Sequence, residues 1–237
     1  GNGYDTYDGG AGDDDWLYYP SATSGVTVDL GTASITDIGQ IGEFQGLGDS
    51  YNAYGSEIDY DSILNVENVV TSSGDDTVTG DGNANTLVGS GGNDELNGGG
   101  GDDRLVGDSL AGITFVGSAG EDTLNGGSGN DTLDGGMYDD VLNGGNDNDT
   151  LLGRHGDDTL NGDAGSDTLF GQTGNDTLNG GGGNDLLYGG TGSDVISGNA
   201  GDDTIVMELG DGNDQIDGGS GSDWISYSAG TAAITVD

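Results

Sequence analysis

The chain has 237 residues, of which 44 are acidic and two are basic, so its formal net charge at pH 7 is −42. This charge disfavours nucleic acid and anionic membranes as partners, because both are bound through basic patches. The sequence contains no cysteine, which excludes disulfides and thiolate metal sites, and it contains no apolar run long enough for a transmembrane helix.

Residues 1–17 contain two partial copies of a nine-residue pattern, GNGYDTYD and GGAGDDDWL, which predict the end of a preceding repeat block. Residues 18–70 lose this pattern but keep strand-like stretches such as Val26–Leu30, so we expect an irregular β connector. A Gly/Ser/Tyr-rich excursion interrupts the connector between about Gly39 and Asp61. Its tyrosines could stack on sugars or pack on a neighbouring subunit, but capping of the next repeat block is the simpler interpretation.

Residues 71–226 carry the repeat itself, and ten consecutive units run without a gap from Gly117 to Val206. The units follow G-G-x-G-x-D-x-U-x, where aspartate occupies position six and U is a large apolar residue at position eight. The x-U-x triplet alternates outward, inward and outward, as in a minimal β-strand, and the six preceding residues have turn chemistry. Two units therefore form one flattened coil with a strand on each face. Stacked coils predict an all-β fold, a right-handed parallel β-roll or solenoid.

Two breaks interrupt the repeat. We interpret Gly107–Val116 as one degenerate turn with a single extra residue, because Phe115 lies nine residues before Leu124 and would keep the strand register. Met207–Glu208 forms the second break, which lengthens the spacing between apolar positions from nine to eleven residues.

A longer period is also visible along the chain. The Asp-Trp-Leu-Tyr-Tyr segment at Asp15 resembles Asp-Trp-Ile-Ser-Tyr at Asp223, and Val26–Asp29 resembles Ile234–Asp237, both with an offset of 208 residues. We therefore expect residues 227–237 to begin a following connector, so that the sequence is a piece of a larger protein. The alternative is that the same connector recurs wherever such repeat blocks restart.

The aspartates at position six recur 18 residues apart on each edge of the predicted roll. Carboxylates about 4.8 Å apart repel each other, and a Ca²⁺ ion between them reverses the sign of the interaction. Calcium takes about six to eight oxygens from carboxylates and backbone carbonyls, which glycine turns expose. The candidate calcium ligands are Asp76, Asp94, Asp103, Asp122, Asp131, Asp140, Asp149, Asp158, Asp167, Asp176, Asp185, Asp194, Asp203, Asp214 and Asp223.

The predicted core is thin. Each coil buries only two large apolar side chains, too few to offset the conformational entropy of ordering its residues. A hydrophobic content of 30% together with the large net charge is typical of disordered chains. We therefore expect the chain to be disordered without calcium and to fold when calcium binds.

Residues 71–226 resemble the RTX, or haemolysin-type, calcium-binding nonapeptide-repeat family, through units such as GGSGNDTLD and GGGGNDLLY. The resemblance implies a parallel β-roll with calcium held in the turns by the position-six aspartates and turn carbonyls. It also implies type I secretion and folding in external calcium, and hence an extracellular or cell-surface location. Asn85 at position six, Tyr138 and Asp147 at position four, and the loss of a turn at Gly107–Val116 depart from the family pattern and weaken individual sites.

No catalytic constellation is evident, because His155 is the only histidine and lies in a predicted turn, so we expect no enzymatic activity. We expect a calcium-binding structural module of a large secreted or cell-surface protein of the adhesin, S-layer or matrix type. Its expected partners are calcium ions and either further copies of itself end to end or cell-surface polysaccharide, without nucleic acid or membrane insertion. One alternative is the C-terminal folding and secretion module of a hydrolase or toxin whose catalytic domain lies outside this sequence. Another is a carbohydrate-binding module that uses the aromatic excursion.

Overall fold

The computed structural model describes residues 6–8, 16–18, 26–31, 34–37, 43–45, 50–52, 60–64, 66–71, 73–108, 120–207 and 212–227. Every regular element in these ranges is a β-strand. These ranges contain no apolar helix of membrane-spanning length.

The strands are short and follow one another closely along the chain. Their bounds, in chain order, are β1 (Thr6–Asp8), β2 (Trp16–Tyr18), β3 (Val26–Asp29), β4 (Ser34–Asp37), β5 (Glu43–Gln45), β6 (Ser50–Asn52), β7 (Tyr60–Leu64), β8 (Asn68–Val70), β9 (Thr77–Thr79), β10 (Thr86–Val88), β11 (Glu95–Gly100), β12 (Arg104–Val106), β13 (Thr123–Ser128), β14 (Thr132–Met137), β15 (Val141–Asn146), β16 (Thr150–His155), β17 (Thr159–Ala164), β18 (Thr168–Thr173), β19 (Thr177–Gly182), β20 (Leu186–Thr191), β21 (Val195–Ala200), β22 (Thr204–Met207), β23 (Gln215–Asp217) and β24 (Trp224–Tyr227).

The strands form two sheets of twelve, and from β8 onward successive strands enter opposite sheets. Sheet 1 has the order β1-β7-β4-β3-β9-β11-β13-β15-β17-β19-β21-β23, and sheet 2 has the order β24-β22-β20-β18-β16-β14-β12-β10-β8-β2-β5-β6. Within the regular coils neighbouring strands are parallel and 18 residues apart, so that Leu142 faces Leu160 in sheet 1 and Leu151 faces Leu169 in sheet 2. The predicted parallel β-roll is therefore confirmed.

The N-terminal end of the roll is built differently, because antiparallel strands extend both sheets there. In sheet 1, β3 pairs in parallel with β9 and antiparallel with β4, which leads through β7 to β1. In sheet 2, β2 pairs in parallel with β8 and antiparallel with β5, whose other neighbour is β6. Residues from the predicted connector 18–70 thus supply strands to both sheets at one end of the roll.

The strands of the regular coils are longer than predicted. They begin at position seven of one unit and continue through position three of the next, as in Thr123–Ser128. Leu124 at position eight and Gly126 at position one are both buried, whereas Asn125 between them is partly exposed. The prediction that all six residues of G-G-x-G-x-D belong to the turn is therefore wrong. Glycine at position one lets the backbone continue as a strand, and only positions four to six change its direction.

A single column of apolar side chains fills the space between the sheets. It consists of the inward residues at position eight, stacked from Leu17 and Val28 near one end to Ile205 and Met207 near the other. Each regular coil adds two residues to this column, one from each sheet, as the repeat predicts. The buried apolar area per residue is consequently small, and the turns must contribute to stability.

The first break is an insertion between β12 and β13, which belong to one coil. β11 and β13 are neighbours in sheet 1, with Leu96 opposite Leu124, and β12 and β14 are neighbours in sheet 2. Each pair is offset by 28 residues, whereas regular pairs are offset by 18, so the turn between β12 and β13 contains ten additional residues. A single extra residue followed by a strand at Phe115 would place Leu124 in the other sheet, so the predicted one-residue lengthening of this break is wrong. Phe115 itself lies outside the described residues.

The segments that suggest the 208-residue period are strands in the same sheet. Trp16–Tyr18 and Trp224–Tyr227 form β2 and β24, near the two ends of sheet 2. The inward residue Leu17 is buried between neighbouring strands, whereas Ile225 is 44% exposed because β24 is the last strand of its sheet. Ile234–Asp237 lies outside the described residues, so the second half of this comparison stays a prediction.

Positions two and four of the turns take left-handed backbone conformations, which glycine adopts most easily. Gly181 and Gly183 have φ angles of +109° and +128°, a region that L side chains rarely adopt. A Cβ atom added at Gly181 would overlap the carbonyl oxygen of Asp163 in the preceding coil, and one at Gly183 would overlap that of Gly165. At Gly182, between them, an added Cβ would lie 3.9 Å from its nearest neighbour, the carbonyl oxygen of Asp163.

We predict that Gly183→Ala destabilises the calcium-loaded roll by more than about 1 kcal/mol, because it combines backbone strain with overlap of the preceding coil. The matched change Gly182→Ala should alter stability by no more than about 0.5 kcal/mol. Thermal unfolding in saturating calcium, followed by circular dichroism, compares the two variants. Equal melting temperatures would show that the turns are not stacked in this way.

Candidate calcium sites

The aspartates at position six form two continuous hydrogen-bonded ladders, one along each edge of the roll. Beyond Asp76, the first member, the Oδ1 atom of each accepts the backbone N–H of the equivalent residue in the preceding coil, as between the Asp140 N–H and Asp158 at 2.8 Å. Every candidate ligand predicted from the sequence lies on one of these ladders. One edge holds Asp76, Asp94, Asp122, Asp140, Asp158, Asp176, Asp194 and Asp214, and the other holds Asp103, Asp131, Asp149, Asp167, Asp185, Asp203 and Asp223.

The second oxygen of most of these carboxylates is buried and receives no hydrogen bond from the described ranges. Asp158, for example, is 1% exposed, and no group in the described ranges donates to its Oδ2 atom. An unsatisfied buried polar atom costs about 1–3 kcal/mol, and more when it is charged. The same arrangement recurs at Oδ2 of Asp94, Asp103, Asp122, Asp131, Asp140, Asp149, Asp167, Asp176, Asp185 and Asp203.

Glycine at position one leaves open space beside this oxygen. A Cβ atom added at Gly162 would overlap both the Oδ2 atom of Asp167 and the carbonyl oxygen of Gly180 in the next coil. At Gly171 the added atom would overlap the equivalent pair of oxygens. A carboxylate oxygen and a backbone carbonyl oxygen therefore converge on a cradle that any larger residue would fill.

Asn85 provides a contrast within the same ladder. Its backbone N–H donates to Oδ1 of Asp103 at 2.7 Å, so the ladder continues through it. Its side-chain Oδ1 accepts the Asp81 N–H at 2.9 Å, and its Nδ2 donates to the Glu67 carbonyl at 3.1 Å. Where the sequence replaces the charge, the side-chain amide is satisfied by protein groups, which supports the prediction that this site is weaker.

Burial raises the pKa of the ladder carboxyl groups, because they lose hydration. Carboxylates of neighbouring coils raise it further, and the backbone N–H of the preceding coil opposes the rise. The pKa reaches about 6 for Asp158 and Asp167, about 7 for Asp103, Asp149 and Asp176, and about 8 for Asp94, Asp122 and Asp140. Near neutral pH the folded ladders therefore need protons or cations to balance their charge.

These oxygens suit a hard cation. Calcium accepts carboxylate and carbonyl oxygens in flexible geometry, whereas Mg²⁺ demands a tight octahedron and keeps its waters. Within the described ranges, no group of three or more acidic, histidine or cysteine side chains is placed to hold a metal ion by itself. An ion here would thus need the carboxylates of successive coils together with the glycine carbonyls of the turns.

The departures from the repeat at position four do not remove the turns. Tyr138 and Asp147 keep the left-handed conformation of the glycines they replace, with φ angles of 79° and 76°. Such a conformation costs a residue with a side chain roughly 1–3 kcal/mol. The first break also leaves the ladder intact, since the Asp94 N–H donates to Asp122 at 2.8 Å across it. Most of Gly107–Val116 lies outside the described residues, so the predicted loss of its turn stays a prediction.

The side chains at position five form a second ladder of hydrogen bonds, which was not predicted from the sequence. The Oδ1 atom of Asn148 accepts the N–H of Ser166 in the next coil, and that of Asp157 accepts the Asn175 N–H, both at 2.7 Å. These side chains point toward the following coil, whereas the position-six carboxylates point toward the preceding one. The signal was present, because nine of the ten regular units carry Asn, Asp or Ser at position five.

The outer faces of the two sheets differ at position nine. In sheet 1, side-chain amides form a chain of hydrogen bonds, each 2.8 Å long, through Asn97, Asn125, Asn143, Asn161 and Asn179. In sheet 2 the equivalent column is largely apolar, and the Phe170 and Tyr188 rings stack with centroids 4.7 Å apart. An 18-residue alternation of position nine in the sequence signals this difference.

The histidine and its neighbouring arginine lie outside the ladders. His155 is exposed, and its Nδ1 atom lies 2.7 Å from the Thr173 hydroxyl oxygen. Arg154 forms an ion pair with Asp134, including a 2.6 Å hydrogen bond from Nη2 to Oδ2. Both contacts join stacked coils on the surface.

We predict that Asp158→Asn weakens calcium-dependent folding by about 1.5–3 kcal/mol, because it removes a buried charged ligand while keeping an acceptor for the Asp140 amide. The matched control is Asp157→Asn, which removes the same charge from an exposed side chain at position five. Calcium titrations followed by circular dichroism give the two folding midpoints. Equal shifts would mean that only the overall charge matters.

In chelator, we predict that acid favours the folded state. Aspartate has an ordinary pKa of 3.8, and the ladder values are raised to between about 6 and about 8 when the chain is folded. The folded state thus holds protons more tightly, so this contribution to stability is fully present below the ordinary pKa and is lost as the pH rises through about 6–8. Circular dichroism in chelator should show more β structure at about pH 4 than at about pH 8. A metal-free chain with more structure at the higher pH would contradict this sign.

The geometry of the ladders coincides with matches to a family model. The model is described as the RTX calcium-binding nonapeptide repeat (4 copies), and it matches residues 66–94, 79–110, 114–137, 134–169, 170–205 and 206–231. Comparison with curated proteins found no matching sequence. The matched residues make up more than half of the chain and include every ladder aspartate, and the chain therefore belongs to the RTX, or haemolysin-type, calcium-binding repeat family.

Proposed function

We propose that this chain is an extracellular structural module of a large secreted or cell-surface protein, and that it folds when it binds calcium. The observation that carries the proposal is the pair of continuous carboxylate ladders, in which most Oδ2 atoms are buried, face glycine cradles and receive no hydrogen bond from the described ranges. RTX calcium-binding repeats are typical of secreted proteins, and external calcium is concentrated enough to fill weak sites.

We infer that one calcium ion binds between each pair of stacked turns along both edges. The position-six carboxylates of successive coils would hold it, together with carbonyl oxygens of the position-one glycines. Bound calcium supplies the positive charge that offsets the repulsion between neighbouring carboxylates. Because each coil contacts only its neighbours, the contributions of successive sites add along the roll.

A structural role is consistent with the way in which the polar side chains join neighbouring coils. The apolar column fills the space between the sheets, and the acidic side chains at position six are committed to the ladders. The end strand β24 carries Trp224, which is 73% exposed, beside the half-exposed Ile225. A further coil, from a following stretch of the same polypeptide or from a second copy, would pair with β24 and cover Ile225.

The alternative role, as the folding module of a secreted hydrolase or toxin, would use the same calcium chemistry. The full reading frame that contains this chain separates the two functions. Further copies with the 208-residue period support the structural role, whereas an adjoining catalytic domain supports the alternative.

We predict that millimolar Ca²⁺ converts the chain from disorder to β structure and that equal Mg²⁺ does not, because the ladder sites are irregular oxygen cradles. Circular dichroism of the chain in chelator, and after addition of each ion, measures the change. The proposal fails if the metal-free chain at neutral pH is already as folded as the calcium-loaded chain.

A further inference from the structure

We propose that the turn bearing the insertion holds a cation site in which Asp108 and Asp122 are both ligands, so that the ion clamps the base of the insertion. Asp108 and Asp122 occupy positions two and six of the same interrupted unit, and residues 109–119 separate Asp108 from Gly120. The proposal rests on the calcium-dependent folding proposed above, and it assigns a ligand at a position where the regular units have none.

The first observation is a change of hydrogen-bond acceptor. In regular coils the amide at position three donates to the backbone carbonyl at position two of the preceding coil, as from Gly100 to Asp81 at 3.0 Å. At the insertion the equivalent amide, that of Met137, donates instead to the side-chain Oδ2 atom of Asp108 at 2.6 Å. The carboxylate of Asp108 is thereby fixed against the next coil.

The second observation is the burial of this carboxylate. Asp108 is only 9% exposed, and its Oδ1 atom is buried and receives no hydrogen bond within the described ranges. Loss of hydration raises the pKa of Asp108, while the Met137 and Gly120 amides oppose the rise. By contrast, Asp163, at position two of a regular unit, is exposed. The buried, unsatisfied oxygen is therefore specific to the interrupted turn.

The third observation is the set of oxygens around this atom. The Oδ2 atom of Asp122 also lacks a donor, and it faces the cradle at Gly107, the residue before Asp108. The carbonyl oxygen of Gly135 in the next coil opens into the same cradle, and the charges of Asp108 and Asp122 are close enough to raise the pKa of Asp122. Two buried carboxylates, each with an oxygen that receives no hydrogen bond from the described ranges, and a carbonyl of the next coil therefore lie at the two ends of the insertion. This all-oxygen donor set suits calcium.

A clamp at this point has a physical purpose. Closing a turn that contains ten extra residues costs more conformational entropy than closing a regular turn. β12 also ends at Val106, so among the described residues the ladder between β12 and β14 stops at Asp134, although Arg154 and His155 pair with Gly136 and Met137 on the other side. An ion between the two ends of the insertion offsets both losses.

Hydrogen–deuterium exchange of the full chain during a CaCl₂ titration tests this site locally. One set of peptides covers residues 120–137, and a reference set covers residues 177–200. In Asp108→Asn, which keeps an acceptor for the Met137 amide, the calcium midpoint for protection of 120–137 should rise several-fold while the reference midpoint stays unchanged. The matched control Asp163→Asn should change neither midpoint.

Asp108→Ala separates a ligand from a simple hydrogen-bond cap. A ligand role requires Asp108→Asn and Asp108→Ala to raise the midpoint of 120–137 alike. If only Asp108→Ala raises it, or if neither does, the site is overturned. If residues 120–137 of Asp108→Asn stay unprotected even in saturating calcium, Asp108→Glu decides the outcome. Protection of these residues in Asp108→Glu supports the site, and its absence overturns the site. Failure of the proposed function is distinct, because wild-type reference peptides would then be protected without calcium.

Discussion

The stacking of carboxylates at a spacing of one coil is the constraint on which the rest of this structure depends. Each position-six aspartate accepts the amide of the preceding coil with Oδ1, which directs Oδ2 into the turn and away from water. Like charges held at this separation in a partly dehydrated turn repel strongly, so a proton or a cation must accompany the fold. The pKa values of these carboxyl groups are raised for the same reason, because burial and neighbouring carboxylates favour the protonated form.

The residues around the ladders follow from that arrangement. Position one must be glycine because a Cβ atom would occupy the space shared by the carboxylate and the next carbonyl, as at Gly162. Positions two and four take left-handed backbone conformations, which glycine adopts without strain and which Asp163 and Asn199 also adopt at some cost. Position five supplies side chains that bond in the opposite direction, so every regular turn is tied to both of its neighbours. Turn chemistry here does the work that a wide apolar core does in other folds.

Continuity of the ladders tolerates irregular sequence better than the nine-residue period suggests. Asn85 keeps the backbone hydrogen bond while satisfying its own side chain, and the ten-residue insertion leaves Asp94 and Asp122 hydrogen-bonded. Each irregularity alters a single turn, and the coils on either side of it retain their register. Such local tolerance is expected of a solenoid, in which each coil contacts only its neighbours. The outer faces are equally free to differ, and the asparagine column of sheet 1 lies opposite the largely apolar column of sheet 2.

The all-β class, the two strands per coil, the inward residue at position eight and the ladder aspartates could be predicted from the sequence alone. All of these follow from a strict period, because residues that recur at the same repeat position must occupy equivalent places. Tertiary structure decided what periodicity does not encode. The strands extend through position three because inward glycine permits it, and the first break is an insertion because pairing joins Leu96 to Leu124. The burial of Asp108 also emerged only there, since its neighbours in space lie about one coil away in the sequence and its position in the repeat has no fixed residue type.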